Sequence, residues 1–226
     1  MNRDRTLEAI VAALLPAEAV VRAAAIDQPW PPLPDCEAAY VAQAVATRRA
    51  EFAAGRHLAR QALDAIGCPT PALAAVATTG PIWPVAATGS ISHADGLALA
   101  AVVRRQHIEA LGVDIEGPRQ LERAAWPDVF TPGERAELSG PSAAVALFSA
   151  KEAIYKAIAV VDRIEFFFTD FSIHPGPGNT FIARAERANL QRALAGLTGH
   201  AGRYGERLIH IAYRRPRPAN APPASR

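Results

Sequence analysis

Two long helix-forming runs, one in each half of the chain, decide most of what this sequence can fold into. Over about 37–66, Tyr40, Val41, Ala44, Val45, Phe52, Ala59, Leu63 and Ile66 fall on one helical face, and Gly67 supplies a stop. The opposite face carries Arg48, Arg49, Arg56 and Arg60. A second run covers about 142–161. A helix that is apolar along one side needs a layer to bury that side against. Strand-like stretches supply it: 90–92, 97–103 and 108–115 follow the first helix. The stretches 164–173, 181–187 and 207–213 follow the second, with a Gly/Pro turn at 175–178. The order of elements recurs although the residues themselves do not repeat. It predicts an α+β fold of two pseudo-symmetric halves, 1–107 and 108–213, each a long helix on a small, mostly antiparallel sheet. Residues 214–226, rich in Pro, Ala and Arg, read as a disordered tail.

Shorter signals fill in the rest. Leu7, Ile10, Val11, Leu14 and Leu15 recur at helical spacing, and Asp4, Glu8 and Glu18 interrupt what would otherwise resemble a secretory signal. The stretch 29–34, with Trp30 among prolines, cannot be helical, and 68–89 reads as loop with at most one strand. Thr131-Pro132-Gly133-Glu134 has the composition of a capped helix start. No run reaches the length of a membrane span. A net charge of +2 scattered over both signs is not the footprint of a nucleic-acid binder. Cys36 and Cys68 show neither metal spacing nor a disulfide framework, so a cytoplasmic protein is expected.

Lysine use is the sharpest local signal. Only Lys151 and Lys156 occur among 24 Lys and Arg residues, and they flank Glu152. Ammonium is a compact, tunable point charge where guanidinium is a planar fork. Glu152 and Lys156 are four apart and share a helical face, with Phe148 and Tyr155 beside them. This is either one surface ion pair or a carboxylate and cation serving chemistry. In Gly112-Val113-Asp114-Ile115-Glu116, strand alternation puts Asp114 and Glu116 on one face. They are either solvated acids at a strand end or hard oxygen ligands of the kind Mg²⁺ takes. His93, after Gly89-Ser90-Ile91-Ser92, is either structural or placed to meet a phosphate. Arg48, Arg49, Arg56 and Arg60 are either a solvated face or an anion clamp. The other five histidines read as structural.

Together these segments resemble the 4′-phosphopantetheinyl transferases, in the two-halved class that serves siderophore and polyketide synthesis. Arg48-Arg49-Ala-Glu-Phe-Ala-Ala-Gly55-Arg56-His-Leu-Ala-Arg60 is similar to the family's first motif, and Trp83-Pro84 with Gly89-Ser-Ile-Ser-His93 to the next. Gly112-Val-Asp114-Ile-Glu116 and Phe148-Ser-Ala-Lys151-Glu152-Ala-Ile-Tyr155-Lys156-Ala complete the set in order. The actinobacterial members look closest. The resemblance implies coenzyme A at the seam of the halves, Mg²⁺ (or Mn²⁺) held by Asp114, Glu116 and Glu152, and Lys156 on the pyrophosphate. Arg48, Arg56, Ser92 and His93 would take the 3′-phosphate and nearby oxygens, and Phe148 and Tyr155 would wall the pantetheine arm. Catalysis would rest on Glu152, Lys156 and Asp114. The partner would be a serine of an acyl or peptidyl carrier protein, with no nucleic acid or membrane involved, and the enzyme a monomer. One departure stands out: family members carry a basic residue before the Pro-x-Trp-Pro segment, where this chain has Thr78 and Thr79. Arg60 or Arg49 would have to replace it. Two other readings use the same residues: a metal-dependent hydrolase of nucleotide pyrophosphates, and an inactive module that binds carriers or coenzyme A.

Overall fold

In the computed structural model of the chain, residues 3–76, 80–119, 121–162 and 164–216 are described. Helix α1 (Arg3–Ala13) buries Leu7 and Val11 and leads into strand β1 (Val20–Ala25). That strand was not expected, because Val-Val-Arg-Ala-Ala-Ala contains no more β-formers than its two valines. Pairing with a partner strand overrides the local preference.

The single helix expected over 37–66 is two. Helix α2 (Asp35–Tyr40) ends, the chain turns, and Val45 is extended before α3 (Ala46–Ala65) begins. The reason is Glu37. Its buried carboxylate accepts from Arg60 Nη1 at 2.7 Å on both oxygens, and from the Leu73 amide at 2.6 Å. In one continuous helix, Glu37 and Arg60 would stand about 35 Å apart. Breaking the helix lets α2 fold back onto α3.

After the short pair β2 (Ala75–Val76) and β3 (Gly80–Pro81) come β4 (Ala87–Ala94), β5 (Leu97–Arg104) and β6 (Ala110–Glu116). The second half continues with α4 (Trp126–Val129), α5 (Pro132–Glu137) and α6 (Pro141–Asp162). The capping box expected at Thr131 is present in full, with Thr131 and Glu134 each accepting from the other's amide. Then follow β7 (Ser172–Pro175), β8 (Thr180–Arg184), α7 (Ala188–Leu194), β9 (Leu197–Tyr204) and β10 (Arg207–Arg214). The strand expected over 164–173 shrinks to β7: the run before it alternates, with Phe166 buried and Phe167 77% exposed, but a 3-10 turn at Phe168–Asp170 interrupts it and the described strand pairing begins only at Ser172. Helix α7 and β9 were not anticipated. Strand β9 holds glycine where bulk cannot fit; a Cβ on Gly199 would stand 2.2 Å from the Phe181 ring.

The larger strands form two antiparallel sheets, β1-β5-β4 and β6-β10-β9-β8-β7. Helix α1 covers one face, where Leu7 and Val11 join Leu99, Val103, Val113 and Ile211 in a cluster drawn from both sheets. On the other face α3 packs on Ala98, Ala100 and Val102, and α6 packs on Ala110 and Ala212. The two halves are thus similar in plan and unequal in size. Arg214, placed in the tail by the sequence reading, instead closes β10 and pairs with Glu109 and Asp162. Residues 217–226 of that expected tail lie outside the described residues. Among the described residues no helix is long and apolar enough to cross a membrane.

Candidate functional site

Strands β4 and β6 lie side by side in different sheets, and serine hydroxyls replace the missing ladder between them. Ser90 Oγ accepts from the Val113 amide at 2.9 Å, and Ser92 Oγ accepts from the Ile115 amide at 3.2 Å. Between this seam, α3 and α6 opens a cleft of about 1320 Å³. Every site residue singled out from the sequence lines it: Arg48, Arg56, Ser92, His93, Asp114, Glu116, Glu152, Tyr155 and Lys156, with Phe148 as an additional wall.

Asp114 is the hub. Its Oδ1 takes the Lys156 ammonium at 2.6 Å and the Ser92 hydroxyl at 3.0 Å, and its Oδ2 takes Ser149 at 2.7 Å. Lys156 also reaches Ser92 at 3.2 Å and stands 3.8 Å from Glu152. Burial by itself would weaken the Lys156 ammonium, but Asp114, Glu152 and Glu116 outweigh it and hold its pKa above that of an ordinary lysine. The Ser92 hydroxyl donates once and accepts twice, which exhausts it. In this arrangement the hydroxyl stitches the seam and fixes Asp114.

Glu116 and Glu152 carry the opposite strain. Burial, and then the neighbouring acids, push the Glu152 carboxyl upward against the pull of Lys156. Glu116 is also raised, by burial first and by Asp114, although Arg119 grips both its oxygens at 2.7 Å. Among the described residues no three His, Cys, Asp or Glu side chains are gathered closely enough to hold a metal ion. The acids expected to converge are instead spread along one wall, each facing a cation of the protein. The donor set still suits a hard divalent ion: all three groups are oxygen donors, and a bound cation would offset the burial that raises the Glu116 and Glu152 carboxyls.

On the α3 side, Arg56 is 3% exposed and stacks over Phe52 at 4.6 Å, and its Nη1 has no partner among the described residues. Burial lowers its pKa to about 10, with Glu37 opposing the fall. A buried guanidinium with a donor left over is chemically suited to an anion. His93 Nε2 lies 2.8 Å from Arg48 Nη1 and its Nδ1 lies 3.6 Å from Glu51, while burial holds the ring below the ordinary histidine pKa. Arg60 and Arg49, the expected replacements for the absent base, are not among the residues that line the cleft. Arg60 is locked on Glu37, and Arg49 donates to the Ala44 carbonyl. Thr78 and Thr79 themselves lie outside the described residues.

Sequence reasoning missed Ser149, Arg119 and Glu51. Ser149 precedes Glu152 by three and Lys156 by seven, so helical spacing alone puts it on their face. Arg119 follows Glu116 by three, but in a loop where spacing carries no such message. Lys151, the neighbour of Glu152 in sequence, is fully buried against Phe168, Phe171 and Glu134 and is not among the cleft-lining residues.

Comparison with known proteins agrees with the geometry. Residues 36–103 match the 4′-phosphopantetheinyl transferase N-terminal domain, and residues 110–207 match the 4′-phosphopantetheinyl transferase superfamily. The 4′-phosphopantetheinyl transferase Svp of Streptomyces mobaraensis is 36% identical over 218 residues, covering 90% of this chain and 88% of that protein. PptT of Mycobacterium tuberculosis is 36% identical over 67% of this chain and 71% of its own length. Enterobactin synthase component D of Escherichia coli is 35% identical over 56% of this chain and 61% of its own.

Proposed function

The chain belongs to the 4′-phosphopantetheinyl transferase superfamily, and on that premise we propose that it transfers the 4′-phosphopantetheine group of coenzyme A to a serine of an acyl or peptidyl carrier protein. The observation that carries the reading is one cleft with acids and a lysine on one wall and, on the other, a buried arginine whose Nη1 has no partner among the described residues. Coenzyme A has a matching charge pattern: a diphosphate with a 3′-phosphate at one end and a long neutral arm at the other. Arg56 and Arg48, with His93, face the 3′-phosphate. Lys156 takes the diphosphate, and Phe148 and Tyr155 line the path of the arm.

The transfer forms one bond and breaks one. The carrier serine oxygen attacks the β-phosphorus, and the bond from that phosphorus to the bridging oxygen breaks. Adenosine 3′,5′-bisphosphate leaves. The serine proton goes to Glu152, whose raised pKa brings it nearer to working pH than an ordinary carboxylate. Lys156 faces the charge that develops on the leaving oxygen. Asp114, tied by Ser92 and Ser149, fixes that ammonium in place. When bound, Mg²⁺ held by Asp114 and Glu116, with Glu152 as a further ligand where it does not serve as the base, would supply further positive charge to the diphosphate. The two free cysteines fit a reducing cytoplasm, and a cleft completed within one chain fits a monomer.

The test is the intact mass of an apo carrier protein incubated with coenzyme A, Mg²⁺ and this chain. The account expects a gain of one phosphopantetheine group, lost with Glu152→Ala. Free phosphopantetheine with an unmodified carrier would make the chain a pyrophosphate hydrolase. No reaction in the presence of tight coenzyme A binding would make it a binding module.

A further inference from the structure

Lys151 precedes Glu152 on α6 but serves a different purpose. Its ammonium, fully buried, donates to the carbonyls of Phe168 and Phe171 at 2.7 Å each and lies 2.8 Å from Glu134 Oε2. The Phe171 ring lies beneath it at 4.6 Å. Glu134 is committed in turn: Oε2 accepts from the Thr131 amide and Oε1 from the Ile173 amide, both at 2.9 Å. One ammonium therefore ties α6 to α5 and to the chain that enters β7.

The segment so tied is the irregular part of the cleft wall. Ile164, Glu165, Phe166 and Phe167 line the cleft, without the support of a strand ladder. Their rings reach the α6 wall through Tyr155, which lies 5.0 Å from Phe166 and 5.6 Å from Phe168; Phe168 also meets Phe148 edge-on at 6.0 Å. Its other polar ties are exposed: Phe167 N to Asp170, and Arg187 to the Glu165 carbonyl. Three oxygens converging on one nitrogen suit an ammonium, whose hydrogens diverge, and not a planar guanidinium. That accounts for lysine here in a chain that otherwise uses arginine almost throughout.

We propose that Lys151 is a positioning residue: through the backbone of 168–171 it holds the aromatic segment as the wall along which the pantetheine arm lies, without touching the ligand. The inference rests on the transferase reading above. A ligand lacking the arm should not feel the wall.

The experiment compares calorimetric binding of coenzyme A and of adenosine 3′,5′-bisphosphate to wild type, Lys151→Met and Lys151→Arg. A double variant, Lys151→Met with Glu134→Gln, leaves no unpaired buried charge and carries the test if the single variant does not fold. In the lysine variants coenzyme A should weaken about tenfold or more, while the bisphosphate stays within about twofold of wild type. Lys151→Arg should fail to restore coenzyme A binding. Equal weakening of both ligands, or unchanged coenzyme A binding, would overturn the inference. Failure of wild type to bind coenzyme A at all would instead overturn the transferase reading.

Discussion

Glu152 shows at the scale of one residue what the site costs the fold. A carboxyl whose folded pKa lies above its unfolded value binds its proton more tightly when folded, so the fold gains stability as pH falls through that pKa. Above it, the ionised group is a burden. Glu152→Gln should therefore raise the melting temperature of the metal-free protein at neutral pH, since Lys156 keeps Asp114 as its partner. The same variant should lose about a hundredfold or more in transfer rate, the usual contribution of a general base. His210 has the opposite linkage. It pairs across the sheet with Asp114, its Nδ1 has no partner among the described residues, and burial lowers its pKa from 6.5 to about 4. The folded state then holds fewer protons than the unfolded one, so stability is lost as pH falls from 6.5 toward 4. Urea unfolding should show about 2 kcal/mol lost through this group between pH 7 and pH 5. His210→Phe should flatten that part of the profile; an unchanged slope would contradict the assignment. Sequence gave no hint of His210, because nothing in a strand pattern says which neighbour lies across from a residue.

The element that matters most is α6, and its seating depends on one glycine. A Cβ on Gly112 of β6 would stand 1.9 Å from the Ala153 carbonyl oxygen and 2.6 Å from the Ala157 nitrogen, both backbone. Gly112→Ala must therefore push the helix off the strand. It should destabilise the protein by about 1–3 kcal/mol or more, as overpacking does. Activity should fall further than stability, because Ser149, Glu152 and Lys156 would move together away from Asp114. Thermal melts alongside transfer rates would check this, and a soluble variant with wild-type activity would refute it. Elements of this kind were legible: helix-forming composition located α6, and short apolar runs located β5 and β6. What escaped were the elements made by distant partners. The break between α2 and α3 answers to an ion pair closed over 23 positions, and the Ala- and Gly-rich β1 and β9 are strands only because a sheet receives them.

For the molecule as a whole, function resides in the seam. Neither sheet alone brings Arg56 and Asp114 to one cleft; α1 and the two serines hold the halves in register. Ser92→Ala would leave the buried Ile115 amide unpaired and remove one tie on Asp114. It should cost about 1–3 kcal/mol of stability and slow transfer without abolishing it. Unfolding followed by fluorescence should register the loss, and an unchanged midpoint would show that the serine stitch is dispensable.

The account depends most on Asp114 as the anchor of charge between the halves. The direct measurement is the rate of holo-carrier formation by Asp114→Asn at saturating coenzyme A and Mg²⁺, in a variant whose circular dichroism matches wild type. A fall of about a hundredfold or more is expected, as when a group that organises transition-state charge is removed. A rate within about twofold of wild type would mean that the chemistry takes place elsewhere.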